Sequence, residues 1–248
     1  LVFQIVAIPA LLLKRNDFAD VAWGPAFPLT AFGTLFLMQI DFQALDFRQI
    51  LVLALVTLWA VRLFVHLGWR NLSHRTEDAR YKKWRQEWGS TWIWRSYLQV
   101  FVLQAVILYL FMLPVLYVLQ APSHSFGLIA GLGVITWLVG FFFESVGDEQ
   151  LRRFKKNPAN KGKLMTSGLW GWTRHPNYFG EVTLWWGIWL LAAELPGAWW
   201  TIISPIAVTF FILKVSGVSM LEAMMSKRPG YDEYVRSVPS FFPKPPKQ

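Results

Sequence analysis

Apolar residues fall into seven blocks that are poor in charge and are separated by polar segments. The blocks occupy residues 1–13, 18–38, 50–68, 97–119, 126–143, 179–193 and 199–218. A helix needs about 20 apolar residues to cross the hydrocarbon core of a bilayer. The pattern therefore predicts an all-α polytopic integral membrane protein with seven transmembrane helices, of which the first is short or trimmed.

Lysine and arginine are distributed unequally between the two sides that alternating spans create. One side receives Lys14 and Arg15 and the basic segments 70–95, 152–174 and 227–247, whereas the other side receives only Arg48 outside the spans. Short loops rich in lysine and arginine stay in the cytoplasm. We therefore predict one transmembrane domain over residues 1–248, with the N-terminus outside and the C-terminus cytoplasmic. Its cytoplasmic loops lie at about 69–95 and 146–176, and its cytoplasmic tail begins at about residue 219.

Composition excludes several other classes of protein. The chain is 54% hydrophobic and carries a net charge of +9, which the unequal loops account for. A nucleic-acid-binding protein would instead carry a basic face on a soluble domain. The chain has no cysteine, and its four histidines lack a metal-binding spacing, so we expect no metal site. No obligatory protein partner is indicated.

One stretch, residues 167–181, concentrates polar groups directly before the apolar run 182–193. Such groups at the mouth of a membrane helix are costly unless something binds there. Pro176 suits the first position of a helix, whose free N–H groups attract an anion. The candidate side chains in this stretch are Trp172, Arg174, His175, Asn177, Tyr178 and Glu181.

Two segments upstream add charged candidates. Glu144, Asp148 and Arg152 recur every four residues and so share one face of a helix. They either stabilise a continuing helix or bind a ribose and, with Lys155 and Lys156, its phosphates. The basic segment 70–85, which contains Arg75, Tyr81 and Trp84, is either a solvated loop or a cover for a phosphorylated ligand.

Asp20 stands inside the second apolar block, near its cytoplasmic end. It is either an interfacial acid or helix N-cap, or a buried carboxyl group that faces a cavity, since acids within a membrane usually mark a site or an ion pair.

The stretch 168–181, the upstream residues 148–151 and the terminal Tyr231, Tyr234, Pro239 and Phe242 resemble the steroid 5-alpha-reductase family, and most of all its bacterial membrane branch. The resemblance covers nearly the whole chain and is strongest from residue 144 onwards. The Arg174-His175-Pro176 core is also shared with isoprenylcysteine and phospholipid methyltransferases and with sterol reductases. The upstream acids and the continuation from Asn177 to Glu181 favour the reductases.

The resemblance implies an enzyme of the bacterial inner membrane that uses NADPH, on the cytoplasmic side, to reduce the carbon–carbon double bond of a 3-oxo-Δ4 steroid or a similar enone lipid. Asn177 matches the family's asparagine near the nicotinamide, and Asp148 matches its cofactor-binding aspartate. The residues predicted to bind the cofactor are Arg75, Tyr81, Glu144, Asp148, Arg152, Lys155, Lys156, Trp172, Arg174, His175, Asn177, Tyr178, Glu181, Glu222, Tyr231 and Tyr234.

Family members polarise the substrate ketone with a glutamate on an early helix and a tyrosine on the next. Asp20 is the nearest match to that glutamate, and the block 50–68 contains no tyrosine. Hydride attack on an enone places negative charge on the ketone oxygen, so a protonated Asp20 or Tyr178 is predicted to be the catalytic donor. Trp23 and Trp59 are predicted to contact an apolar substrate that enters from the bilayer.

Two other functions stay open. The first is an S-adenosylmethionine-dependent membrane methyltransferase of the isoprenylcysteine or phospholipid type. Its close relatives would be expected to carry paired acids after the last span, where Glu222 is followed by Ala223 here. The second is a lipid or sterol binder without enzymatic activity, but the polar cluster is predicted at the cytoplasmic helix ends rather than in mid-bilayer.

Overall fold

The structure, a computed structural model, describes residues 1–73 and 77–245, with side chains for all of these except residues 70–73. This part of the chain is helical and contains no strand, which confirms the all-α prediction. The helices are α1 (Val2–Leu12), α2 (Phe18–Leu37), α3 (Phe47–Ser73), α4 (Ala79–Trp88), α5 (Trp92–Ser96), α6 (Leu103–Gln120), α7 (Leu128–Lys156), α8 (Pro176–Ala193), α9 (Ile203–Phe210), α10 (Val218–Met225) and α11 (Tyr231–Ser237). Single π-helical segments precede α6 (Tyr97–Val102) and follow α9 (Phe211–Val215).

Four helical stretches of the described chain are long and apolar enough to cross a membrane. They are Phe47–Trp69, Ala79–Gln120, Leu128–Lys156 and Ala198–Met225. Their length and composition indicate an integral membrane protein, as predicted. Helices α1, α2 and α8 coincide with the remaining apolar blocks, and the number of seven spans stays a prediction.

The chain forms two compact units, Leu1–His124 and Ser125–Gln248. In the first unit, α2 packs closely on α3 at Gly24, which has no side chain. A Cβ atom at this position would lie only 2.5 Å from the Cβ atom of Phe64. Aromatic side chains fill the space beside this contact, and the rings of Phe27 and Trp59 meet edge to face at 4.8 Å. This packing fixes the face of α2 that carries Asp20.

In the second unit, α7 and α8 run antiparallel and touch through glycines. A Cβ atom at Gly140 would lie 2.6 Å from the carbonyl oxygen of Gly180, and one at Gly133 would lie 2.8 Å from that of Gly187. Small residues allow helix backbones to approach this closely in membrane proteins. The contact brings the polar end of α7 beside the first turn of α8.

Several helices extend beyond their apolar blocks into the neighbouring polar segments. Helix α7 continues past residue 143 to Lys156, so Glu144, Asp148 and Arg152 lie on one continuous helix. The supporting ion pairs run from Glu149 to Arg152 and Arg153 rather than from Asp148. The segment predicted as a loop at about 69–95 holds the end of α3 and the helices α4 and α5.

Candidate functional site

In the first unit, Asp20 receives hydrogen bonds from the start of α4. The Tyr81 hydroxyl donates to Asp20 Oδ1 at 2.6 Å, and Arg80 Nη2 lies 3.4 Å from Asp20 Oδ2. Asp78 caps α4 by accepting from the backbone N–H of Arg80, which fixes the first turn of this helix. Tyr81 is only 5% exposed, so its phenol is held in the protein interior.

Gln104 of α6 joins this group. Its Nε2 lies 3.5 Å from the Tyr81 hydroxyl oxygen, and its Oε1 accepts a hydrogen bond from Trp23 Nε1 at 2.7 Å. Trp23 lies three residues after Asp20 and so shares its face of α2. We call the five residues Asp20, Trp23, Arg80, Tyr81 and Gln104 the Asp20 cluster.

The other two candidates of this unit are Trp59 and Arg75. Trp59, predicted to contact substrate, is 2% exposed and packs among aromatic rings inside the unit. Arg75, predicted to contact the cofactor, lies outside the described residues.

In the second unit, Glu222 of α10 brings together the turn before α8 and the C-terminal segment. Its Oε1 accepts from Arg174 Nη2 at 2.6 Å, from Arg174 Nε at 3.1 Å and from Ser240 Oγ at 2.8 Å. Arg174 also donates from Nη1 to the carbonyl oxygen of Val238 at 2.5 Å. Among the described residues, no hydrogen bond reaches the other carboxylate oxygen of Glu222.

His175 stands at the N-cap of α8 with φ −138° and ψ 61°, outside the α region, as predicted for a residue before proline. Its Nε2 lies 3.3 Å from Glu222 Oε1, and its ring stacks on Tyr178 with centroids 5.7 Å apart. Burial lowers the pKa of His175 below its ordinary value, and the nearby carboxylate of Glu222 opposes this shift.

The C-terminal segment is bound along the same turn. The backbone N–H of Arg174 donates to the carbonyl oxygen of Pro239 at 2.9 Å, and that of Lys244 donates to the carbonyl oxygen of Trp172 at 2.8 Å. The Trp172 indole is exposed. These bonds fix the Arg174–His175 backbone from outside α8.

Tyr231 and Tyr234 of α11 are both buried within the second unit. The Tyr234 hydroxyl donates to the carbonyl oxygen of Trp170 at 2.6 Å. Burial raises the pKa of both phenols above its ordinary value. Both therefore stay protonated at neutral pH, and Tyr234 holds the turn that precedes Arg174.

Asp148 and Asn177 meet across the α7–α8 contact. Asn177 Nδ2 donates to Asp148 Oδ1 at 3.0 Å, and a Cβ atom at Gly147 would lie 3.3 Å from the Asn177 backbone nitrogen. One helical turn from this pair, Glu144 is 3% exposed on α7 and Glu181 is partly buried on α8. The structure thus joins two residues that are 29 positions apart in the sequence.

The C-terminal end of α7 carries exposed cations. Arg152 pairs with Glu149 at 2.6 Å, and Lys155 and Lys156 are exposed beside it. Exposed ion pairs are weak, typically about 0–1 kcal/mol. An anionic ligand can therefore replace Glu149 as the partner of Arg152 at small cost.

Three residues of these two groups were not predicted from the sequence, namely Arg80, Gln104 and Ser240. Gln104 is a polar residue inside an apolar block, which is a usable signal for a membrane helix. Arg80 and Ser240 stand among other polar residues, where nothing distinguishes them.

These features define an all-helical membrane protein with a buried polar group of residues in each of its two units. The chain belongs to the family described as "Protein of unknown function (DUF1295)", whose sequence profile matches residues 7–238.

Three relatives show local or distant similarity. An uncharacterized protein of Schizosaccharomyces pombe is 27% identical over 258 residues, which cover 93% of this chain and 73% of the relative. The probable O-methyltransferase ustE of Ustilaginoidea virens is 47% identical over 53 residues, which cover 21% of this chain and 18% of ustE. The Delta(14)-sterol reductase erg24 of S. pombe is 34% identical over 99 residues, which cover 32% of this chain and 23% of erg24. No solved structure matches the chain.

Proposed function

We propose that the chain is an NADPH-dependent membrane reductase that saturates the carbon–carbon double bond of a 3-oxo-Δ4 steroid or a similar enone lipid. The hydrogen bond from the buried Tyr81 phenol to Asp20 carries this proposal. Enone reduction requires a donor at the ketone oxygen, whereas methyl transfer has no such requirement. The local similarity to a sterol reductase supports this choice.

In the first unit, the chemistry falls to Tyr81 and Asp20. As the β-carbon of the enone is reduced, negative charge develops on the ketone oxygen, and a hydroxyl directed there stabilises the transition state more than the ground state. Asp20 acts as an acceptor towards both Tyr81 and Arg80. We therefore assign donation to Tyr81 and the anchoring of its phenol to Asp20. When the ketone binds, the phenol proton turns from Asp20 Oδ1 to the ketone oxygen.

In the second unit, the residues fit the chemistry of NADPH. The Asp148 carboxylate can accept from ribose hydroxyls, and the Asn177 amide can both donate to and accept from a carboxamide. Arg152, Lys155 and Lys156 supply charge-assisted hydrogen bonds to phosphates. The cofactor, when bound, supplies the hydride. Arg174, His175 and Glu222 hold the turn that presents Asn177.

We also propose that all seven apolar helical segments cross a bacterial inner membrane, with the N-terminus outside and the C-terminus in the cytoplasm. The unequal distribution of lysine and arginine supports this orientation. The proposed cofactor residues then belong to cytoplasmic helix ends. The apolar substrate enters from the bilayer, and membrane lipid is the remaining partner.

A membrane methyltransferase that uses S-adenosylmethionine is the second candidate. The 47% identity to a probable O-methyltransferase over 53 residues supports it. It leaves the Tyr81–Asp20 pair without a chemical role, and Glu222 is followed by Ala223 rather than by a second acid.

Ligand-dependent unfolding of the detergent-solubilised protein separates the two functions. A ligand at about 100 times its dissociation constant adds roughly 2.7 kcal/mol to the stability of the state that binds it. We expect NADPH to raise the unfolding temperature and S-adenosylmethionine to leave it unchanged. A 3-oxo-Δ4 steroid should then cause NADPH oxidation, followed by absorbance. Stabilisation by S-adenosylmethionine alone would refute the reductase.

Substitutions then test the residue assignments. Tyr81→Phe should lower turnover by about 100-fold or more, because one lost oxyanion donor costs that much. Asp20→Asn weakens only the anchor of the phenol, so it should lower turnover by no more than Tyr81→Phe does, and both variants should still be stabilised by NADPH. Tyr109→Phe, which changes an exposed phenol on α6, is the matched control and should keep its activity. Asp148→Asn should lose the stabilisation by NADPH instead.

A further inference from the structure

The Asp20 cluster contains an amide whose orientation the structure fixes. Trp23 Nε1 is only a donor, so the Gln104 atom 2.7 Å from it must be the carbonyl oxygen. A flipped amide would set its NH₂ group against the indole N–H. Because Oε1 faces Trp23, the NH₂ group of Gln104 faces the Tyr81 hydroxyl oxygen, 3.5 Å away.

This orientation determines where the Tyr81 proton points. A phenol has one proton and can accept on its oxygen. Since Gln104 presents N–H donors to Tyr81, no acceptor on α6 competes for the phenol proton. That proton is therefore directed to Asp20 Oδ1, at 2.6 Å.

We propose that Gln104 is a positioning residue, locked by Trp23, that keeps the Tyr81 proton available for a ligand oxygen. This inference rests on the proposed function, in which Tyr81 donates to a ketone. It gives Trp23 a hydrogen-bonding role in addition to any contact with substrate. It also identifies a ligand group of defined chemistry, a neutral oxygen that accepts one hydrogen bond.

Three substitutions separate positioning from packing. Gln104→Met keeps the length of the side chain and removes its polar atoms. Gln104→Glu keeps its shape but replaces the donor to Tyr81 with an acceptor, which then competes with Asp20 for the phenol proton. Trp23→Phe keeps a ring and releases the amide to flip. Gln99→Met is the matched control, since Gln99 is an exposed glutamine five positions earlier in the chain.

The turnover number should depend on the direction in which the Tyr81 phenol proton points. We expect kcat to fall about five- to tenfold in Gln104→Met, as for one lost hydrogen bond, and further in Gln104→Glu. The KM for the enone should change less than kcat, and the stabilisation by NADPH should stay as in the wild type. The kcat of the double variant Trp23→Phe/Gln104→Met should be no lower than that of Gln104→Met alone, because both changes break one chain of hydrogen bonds, whereas a lost contact between Trp23 and the substrate would raise KM instead. If the losses in kcat were additive, Trp23 would not hold the Gln104 amide in its orientation, and this part of the proposal would be overturned.

A spectroscopic test needs no substrate. The Raman Fermi doublet of tyrosine reports whether a phenol donates or accepts hydrogen bonds, and subtracting the spectrum of Tyr81→Phe isolates the signal of Tyr81. This signal should change in Gln104→Met and Gln104→Glu and stay unchanged in Gln99→Met. An unchanged signal in both Gln104 variants overturns the inference even if the protein proves to be a reductase. A changed signal in a protein that reduces no enone would leave the positioning supported and refute the function.

Discussion

At the scale of single residues, Glu222 organises the second unit because one of its oxygens accepts from three different side chains. Arg174 and His175, in the turn before α8, and Ser240, in the C-terminal segment, all donate to Oε1. Such a partly buried carboxylate is stabilising only while its donors are in place. Removing the negative charge of Glu222 should therefore lower the free energy of unfolding by more than the same substitution at an exposed glutamate.

We predict that Glu222→Gln lowers the free energy of unfolding by about 1–3 kcal/mol, because it leaves the buried Arg174 guanidinium without a counter-charge. Unfolding in detergent without ligand, followed by circular dichroism, measures this loss. Glu233→Gln, which changes an exposed acid on α11, should alter stability by less than about 0.5 kcal/mol. Equal stability of both variants would show that the Glu222 contacts are not maintained in solution.

The lowered pKa of His175 predicts a pH dependence of stability. The pKa of His175 is about 6.5 in the unfolded chain, whereas burial lowers this pKa in the folded protein. Between these two values the unfolded state binds more protons, so stability falls as the pH is lowered below about 6.5. Unfolding temperatures measured across this range should drop less in His175→Gln than in the wild type. His124→Gln, at an exposed site, should keep the pH dependence of the wild-type protein. If the unfolding temperature of this variant changed as little with pH as that of His175→Gln, the pH dependence could not be assigned to His175.

At the scale of helices, the closeness of α7 and α8 decides where the candidate residues lie. The sequence predicted both apolar helices, since long apolar runs are a local signal. It did not show that Gly140 faces Gly180, because the pairing of two helices depends on which faces they bury. For the same reason it missed Glu194, which caps the start of α7 by accepting from the backbone N–H groups of Gly127 and Ile129 at 3.0 and 2.8 Å.

We predict that Gly140→Ala destabilises the protein by about 1–3 kcal/mol or more, because the new methyl group would lie 2.4 Å from the backbone nitrogen of Leu184. Gly131→Ala is the matched control on the same helix, where nothing lies within 4 Å of the new atom. It should be neutral or stabilising by up to about 1 kcal/mol, since alanine favours helices over glycine. Thermal unfolding in detergent compares the two. A Gly140→Ala protein as stable as Gly131→Ala would contradict the close α7–α8 contact.

At the scale of the whole molecule, the sequence predicted the class of protein better than the partners of its polar residues. The seven apolar blocks predicted the helices, and the part of the chain that the structure describes contains no strand. By contrast, Tyr81 lies 61 residues from Asp20 and was assigned to the cofactor, because nothing local indicates that α4 turns its first residues towards α2. Asp148 and Asn177 were linked only through a family resemblance. Side-chain partners depend on tertiary packing, which a single sequence does not specify.

The proposed topology makes a prediction for the whole chain. These 248 residues include no cysteine, so single introduced cysteines report directly on sidedness. In intact spheroplasts of a bacterial host, a membrane-impermeant maleimide should label Gln43→Cys and Ser123→Cys. It should label Lys14→Cys and Lys161→Cys only after lysis, because their lysine- and arginine-rich segments stay in the cytoplasm. Labelling of Lys161→Cys in intact cells would reverse the proposed side of the cofactor residues. Labelling of both Lys14→Cys and Gln43→Cys from outside would show that α2 does not span the membrane and would remove the seven-span arrangement.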